Sequence, residues 1–205
     1  MKFPILATVL VFCLVLSIFI KKSDKEQEHA LDEFWEKEKK ANFTRKKSLD
    51  NLSYISIPES ITSLVMTSAE GKDALLTLQQ LSTQKIVNFT GITNTDLKLT
   101  YGTANINLLS EYDQNYTLMV RTLQKLAVEL KKEERLADME TVLTFSINQN
   151  SDIKGSYELL ASYYKAEGRT EDIEALLAGA QKLPGLSAPS IVRYLESILK
   201  EESSI

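Results

Sequence analysis

One internal match constrains the fold of this chain more than any other feature of its sequence. Residues 126–143 align without a gap on residues 160–177, and eight of the 18 aligned positions are identical. The identical residues of the first copy are Leu126, Ala127, Lys131, Glu133, Arg135, Asp138, Glu140 and Leu143. Because position 126 falls on position 160, the register is that of a 34-residue repeat. A gapless match at such a period indicates a tandem supersecondary unit rather than two unrelated helices.

The better copy, at 154–187, begins with a predicted helix. Apolar residues recur at i, i+3, i+4 and i+7 from Tyr157 to Tyr164, which is the pattern of one buried helix face. Asp152 is the predicted N-cap of this helix. Gly168 is its predicted left-handed end, because glycine adopts positive φ without steric cost.

A second helix is predicted to follow in the same copy. Thr170 is its predicted N-cap, and Pro184 with Gly185 would stop it. The small side chains of Ala161 and Ala180 would let the two helices approach each other closely. The residue types therefore predict a helix–turn–helix unit.

The spacing of aromatic, leucine, small, glycine and proline positions resembles the signature of tetratricopeptide repeats. The positions that carry the resemblance are Tyr157, Leu160, Ala161, Tyr164, Gly168, Ala180 and Pro184. In the copy at 120–153 the glycine, the second small residue and the proline are replaced, by Glu134, Ser146 and Asn150. The resemblance extends over residues 120–205 and implies a short α-solenoid.

The resemblance also implies a binding face, formed by the first helix of each unit. The residues on that face are Arg121, Gln124, Val128 and Lys131 in the first unit and Glu158, Ser162 and Lys165 in the second. Some members of the family clamp terminal carboxylates with Lys and Asn there, and this chain lacks those residue types at the clamp positions. We therefore expect the partner to be a helix or an extended segment of another protein.

Two visible units are fewer than stable arrays need, so flanking helices are expected to complete the packing. A helix at 188–200 is predicted to cap the last unit, with Val192, Leu195 and Leu199 in step. Ala104–Gln114 is predicted to be a degenerate helix before the first unit.

The amino-terminal part predicts a membrane anchor. Phe3–Ile20 is free of charges, and its 18 residues span roughly 27 Å as a helix, close to the hydrocarbon thickness of a bilayer. A cleaved signal peptide would need small residues at its cleavage site, and the run lacks them. A lipoprotein would need a small residue before its cysteine, but Phe12 precedes Cys13. We therefore expect an uncleaved single-pass anchor over residues 1–22.

The orientation of this anchor follows from the basic residues beside it. Only Lys2 precedes the apolar run, whereas Lys21, Lys22 and Lys25 follow it closely. Because short basic flanks stay in the cytoplasm, the carboxy-terminal domain is predicted to be cytoplasmic.

The segment at 23–47 is dense in charges of both signs, and it predicts a solvated helix or a flexible tether. Leu31, Phe34 and Trp35 lie at helical spacing within it. These three side chains would rest on a bilayer surface or dock on the domain, or they are a few scattered apolar residues of a tether helix. We favour the tether helix.

Residues 48–97 predict a cap region that contains one helix. That helix is predicted over Ala69–Ser82, with Leu75, Leu76, Leu78 and Leu81 in one stripe. Tyr54–Ile57 is predicted to be a short extended segment, and Lys85–Asp96 is predicted to be a loop or an irregular strand. The repeat domain is then predicted at 98–205.

A second resemblance rests on two short stretches. The segments Ala41–Lys47 and Thr93–Asp96 resemble membrane-anchored proteins of Gram-positive anaerobes. This resemblance implies no mechanism.

Charge and rare residues exclude several functional classes. Residues 48–205 carry 14 Lys and Arg against 21 Asp and Glu, so this part has a net charge of −7 and does not suit nucleic acid. The single Cys13 and the single His29 lie outside it, which leaves no disulfide framework, Cys-rich zinc site or His-based triad. Glycine-rich phosphate-binding motifs are missing too. We expect no enzyme, no cofactor and no small-molecule substrate.

Together these patterns predict a mainly all-α chain. Its parts would be a transmembrane helix, a small irregular or extended segment and a short α-solenoid of tetratricopeptide-like units. The expected function is a membrane-tethered protein–protein interaction module that acts as a scaffold or adaptor. The alternative is an extracytoplasmic accessory subunit in envelope assembly or protein export.

Overall fold

The computed structural model describes residues 3–202, apart from the side chains of residues 3–11, 14, 23, 24, 26 and 202. Within that range the regular structure is helical and contains no strand, which confirms the predicted mainly all-α class. A 3₁₀ turn, Thr103–Asn105, accompanies the α-helices. These helices are α1 Phe3–Asn42, α2 Glu59–Thr62, α3 Ala69–Leu81, α4 Asn94–Tyr101, α5 Ile106–Lys132, α6 Leu136–Asn148, α7 Lys154–Ala166, α8 Thr170–Ala180 and α9 Ala188–Glu202.

The chain divides into two compact units. Unit 1 comprises Met1–Ser48 with Thr93–Ile106, and unit 2 comprises Leu49–Ile92 with Asn107–Ile205. Unit 1 therefore contains α1, α4 and the first residue of α5, and unit 2 contains the remaining helices. The predicted divisions after residues 22, 47 and 97 stay predictions.

Helix α1 of unit 1 continues from the apolar run through the charged segment to Asn42. The charged segment is thus helical as far as that residue, which was one of its two predicted alternatives. In the part of the chain that the structure describes, no helix is both long and apolar enough to cross a membrane. The predicted span Phe3–Ile20 begins among side chains outside the described set and stays a prediction.

Charged and polar side chains hold α4 against the end of α1. The Glu38 carboxylate accepts hydrogen bonds from the Thr95 hydroxyl at 2.6 Å and from the Lys98 ammonium. These bonds, led by the one from Lys98, lower the pKa of Glu38. The neighbouring residues along the chain, Lys37 and Asp96, form an ion pair at 2.7 Å.

The loop after α1 is fixed by a close backbone approach at Gly102. A β-carbon there would overlap the carbonyl group of Arg45, and the φ of +89° also suits glycine. The buried Asn105 amide donates to the carbonyl oxygens of Lys47 at 2.8 Å and Tyr101 at 2.7 Å. A buried amide bonded in this way stabilises the loop instead of destabilising the unit.

Unit 2 packs its helices around one apolar core. Helix α3 begins at Ala69 with Ser68 as N-cap, whose hydroxyl accepts from the Gly71 amide at 3.0 Å. This helix confirms the prediction over Ala69–Ser82, although Leu76 of the predicted stripe is 56% exposed. The largest fully buried side chains of the unit are Ile61, Leu78, Ile86, Leu109, Met119, Leu123, Leu126, Leu130, Met139, Leu143, Tyr157 and Leu160.

The segments that flank α3 are irregular, as predicted. The Ile55 amide donates to the Ile86 carbonyl at 2.9 Å, and this contact does not extend into a ladder of strand pairs in the described chain. The predicted loop over Lys85–Asp96 ends slightly early, because α4 begins at Asn94.

The predicted helix ends in the second copy are partly wrong. Gly168 has a φ of +67° and ends α7 as predicted. Asp152 is not the N-cap of α7, which starts at Lys154 after Ile153. Thr170 lies inside α8 rather than capping it, because Arg169 occupies the N-cap position. The Arg169 guanidinium binds a carboxylate of the first turn, so this helix begins on a side-chain ion pair.

The predicted helix at 188–200 is confirmed as α9, Ala188–Glu202. Its Ile191 and Leu195 are fully buried against the unit 2 core. The predicted Ala104–Gln114 helix corresponds to the end of the 3₁₀ turn and the beginning of the longer α5.

Candidate functional site

Two turns in unit 2, at equivalent positions of the two sequence copies, have the same backbone geometry. Glu134 and Gly168 both adopt the left-handed conformation, with φ of 59° and 67°. The next amide closes each turn in the same way, since Arg135 donates to Leu130 and Arg169 to the Tyr164 carbonyl, both at 2.9 Å. The α5–α6 and α7–α8 connections are therefore equivalent in geometry.

The arginines at these turns make one shared contact. Arg135 Nε donates to Asp138 at 2.8 Å, and Arg169 Nε donates to Asp172 at 2.6 Å. In each case the carboxylate lies in the first turn of the following helix, where negative charge is favoured by the helix dipole.

Beyond that shared contact the two arginines differ. Arg169 forms an ion pair with Glu140 of α6 at 2.8 Å and lies 4.3 Å from the ring centre of Tyr164. Arg135 instead donates to the backbone carbonyl of Val65. The second turn is thus bonded to α6, and the first to the irregular segment before α3.

A cavity of about 370 Å³ opens beside the second turn, between α6 and α8 and above α7. Tyr157 and Leu160 form its floor and are each 1% exposed. Small residues of α8, Ala175 and Gly179, border it one helical turn apart. The complete lining is Thr144, Ile147, Asn148, Asn150, Tyr157, Leu160, Tyr164, Asp172, Ala175, Leu176, Gly179 and Leu183.

The cavity lining carries hydroxyl and amide groups besides its apolar floor. The Tyr157 hydroxyl donates to the Ser151 carbonyl at 3.1 Å, and burial, followed by the charge of Asp152, raises the pKa of Tyr157 to about 12. Burial likewise raises the pKa of Tyr164. Both phenols therefore keep their protons at neutral pH and act as neutral hydrogen-bonding groups.

A second cavity of about 360 Å³ adjoins the first, and Asn150 lines both. The other residues that line it are Ser53, Ile55, Asn88, Thr90, Gln149, Lys182 and Pro184. The Asn88 side chain is held in place by a bond from its amide nitrogen to the Gln149 carbonyl at 3.1 Å. The two cavities thus share Asn150 at their border.

The sequence-predicted binding residues of the first copy lie on α5. Arg121 and Lys131 are exposed, while Gln124 and Val128 are half-buried. Gln124 also lies close to α7, because a β-carbon at Gly155 would come within 3.1 Å of its amide nitrogen.

The predicted residues of the second copy contact their own chain. The Ser162 and Tyr194 hydroxyls lie 3.3 Å apart, and Lys165 pairs with Glu201 at 2.6 Å, so α9 contacts this face of α7. Glu158 forms an ion pair with Lys154 at 2.7 Å. The role of all seven residues in binding a partner stays a prediction.

Of the described residues that line the larger cavity, none is among those seven. The predicted binding residues lie on the first helix of each unit, whereas α6 and α8 on either side of the cavity are second helices. The signal that could have indicated it is the pair of small residues Ala175 and Gly179, which share one face of α8 at i and i+4.

The described residues show no evident metal-binding site. No group of three or more His, Cys, Asp and Glu side chains there is placed to hold a metal ion. The predicted absence of a cofactor stays a prediction.

Comparison with known proteins assigns no family to this geometry. No family model matches the chain. Neither a curated protein nor a solved structure matches it either. The tetratricopeptide resemblance therefore rests on the residues quoted above.

Proposed function

We propose that this protein is a membrane-tethered protein–protein interaction module, built as a short array of tetratricopeptide-like units. The observation that carries the proposal is the recurrence of one turn geometry in two consecutive helical hairpins, with a cavity open between α6 and α8. Stacked hairpins of this kind commonly present extended surfaces to other proteins. The array would thus act as a scaffold or adaptor.

The anchor in this proposal is the apolar run Phe3–Ile20, and its support is the sequence of the run itself. Lys21, Lys22 and Lys25 favour the cytoplasmic side for the interaction domain under the positive-inside rule. A reporter fused after Ile205 tests the orientation, since only an external domain would give a periplasmic or surface signal.

Proximity labelling tests the interaction role directly. A labelling enzyme fused after Ile205 of the full chain should mark one or a few proteins reproducibly. The matched control carries the same enzyme directly after residues 1–47, so that the anchor and tether are present without unit 2 and without the Thr93–Ile106 part of unit 1. Proteins marked equally by both fusions are neighbours in the membrane, and the absence of any protein specific to the full chain would contradict the proposal.

A further inference from the structure

Two of the α8 residues that line the cavity between α6 and α8, Ala175 and Gly179, are small and leave space in it. A β-carbon placed on Gly179 would meet no atom within 4 Å. Ala175, one turn earlier, adds only a methyl group. Two leucines at these positions would occupy the recess, so its volume depends directly on the residue types present.

The size of the cavity restricts what it can receive. Binding pockets commonly measure about 300–1,000 Å³, and at about 370 Å³ this one lies near the lower limit. It therefore suits a few side chains of a short segment and not the face of a whole helix. The half-buried side chains of Ile147, Leu176 and Leu183 offer these side chains an apolar surface above the buried floor.

The charge of the cavity restricts the occupant further. Asp172 is the charged residue among the described side chains that line it. At its edge the carboxylates of Asp172 and Glu140 share the single guanidinium of Arg169, which leaves a net negative charge. Unit 2 as a whole has 13 Lys and Arg against 20 Asp and Glu, a net charge of −7. A cationic group is thus attracted to this edge, and an acidic segment is repelled.

From these features we propose that the α6–α8 cavity receives a short segment of a partner protein in which a Lys or Arg side chain stands beside an aliphatic one. The aliphatic side chain packs on Ile147 and Leu176. The basic side chain brings its charge to the Asp172 carboxylate at the cavity edge. This inference rests on the proposed interaction function and names both the surface and the chemistry of the partner.

A random-peptide library displayed on phage, selected against the full chain in detergent, tests this inference. The selected peptides are then synthesised and their affinities measured for the wild type and four variants. Gly179→Leu fills the cavity, and Ala178→Leu places the same side chain on the adjacent exposed position outside the lining. Thermal unfolding of each variant verifies that it is folded.

The second pair of variants tests the charge. Asp172→Asn removes the carboxylate at the cavity edge. Asp138→Asn removes the equivalent carboxylate at the first turn, which makes the same bond to an arginine but does not line the cavity. This control therefore separates a binding effect from the structural effect of losing an arginine pair.

We expect the selected peptides to contain Lys or Arg beside aliphatic residues. Gly179→Leu should weaken their binding about tenfold or more and Asp172→Asn about fivefold, while the two controls leave the affinity within about twofold. Peptides without a basic residue, or peptides that bind Gly179→Leu as well as the wild type, would overturn the cavity assignment and leave the interaction function standing. Failure to select any peptide would also overturn it, and the proposed function would then be decided by the proximity labelling.

Discussion

Glu134 and Gly168 occupy the same position in two matching turns, and both have left-handed backbone conformations. Glycine adopts this conformation freely, whereas glutamate does so at a steric cost. The amide that follows each residue makes the same hydrogen bond to the preceding helix. One turn is therefore built from a favourable residue and its counterpart from an unfavourable one.

Exchange of these residue types should change stability in opposite directions. Glu134→Gly removes the left-handed strain, and it also adds conformational entropy to the unfolded chain, which opposes the gain. The net effect should be a rise in the free energy of unfolding of about 0.5–1 kcal/mol. Gly168→Ala should lower it by a similar amount. Because a β-carbon at Gly168 meets no neighbour within 4 Å, the effect there comes from the backbone alone. Urea titration measures both values, and two changes of equal sign would contradict the shared geometry.

Ala161 of α7 should tolerate no larger side chain. It is fully buried in the unit 2 core, and Ala161→Leu should lower the free energy of unfolding by about 1–3 kcal/mol through overpacking. Ala166→Leu, at an exposed position of the same helix, is the matched control and should be nearly neutral. Equal unfolding free energies for the two variants in urea would show that close approach of the helices does not depend on Ala161.

The Glu133 carboxylate links the end of α5 to the start of α3. It accepts hydrogen bonds from the Thr67 amide at 2.9 Å, the Thr67 hydroxyl at 2.5 Å and the Ser68 amide at 3.0 Å. These bonds, with the Thr67 hydroxyl first, hold the pKa of Glu133 below its ordinary value of 4.5. A lowered folded-state pKa contributes stability above the ordinary value, and this contribution is lost as the pH falls through the folded-state value.

Glu133→Gln should therefore lower the melting temperature at neutral pH, and the difference from the wild type should shrink below pH 4.5. Glu167→Gln changes the exposed residue at the equivalent position of the second copy and should have little effect at any pH. Melting curves recorded by circular dichroism across this range measure both. A Glu133→Gln difference that is independent of pH would contradict the role of the charge.

Trp35 is the single tryptophan of the chain and is 59% exposed. In the continuous helix α1 it lies 15 residues beyond Ile20, about 22 Å along the axis, which is farther than the headgroup layer extends. In vesicles with brominated acyl chains its fluorescence should therefore not be quenched. A Phe19→Trp, Trp35→Phe variant moves the fluorophore into the predicted span and should be quenched. Strong quenching of Trp35 itself would place this part of α1 at the bilayer.

Features that depend on neighbours in sequence were predictable. The stripe from Tyr157 to Tyr164, the left-handed Gly168 and the helix at 188–200 follow from helical periodicity and turn chemistry, and all three are present. The predicted caps at Asp152 and Thr170 were wrong, because capping competes with other local contacts. At the start of α8 the Arg169–Asp172 bond occupies the turn instead.

The sequence by itself determined the helical class, because helical periodicity arises from contacts between residues a few positions apart. It also determined the register of the internal match, because identical residues recur 34 positions apart. Only the tertiary structure decided what each unit packs against. The equivalent residues Arg135 and Arg169 share a local aspartate bond, yet one reaches the Val65 carbonyl and the other Glu140. The register of the two sequence copies likewise does not predict the cavity between α6 and α8. Which element fills the space beside a helix depends on contacts between distant parts of the chain, and the periodicity of one helix does not encode them.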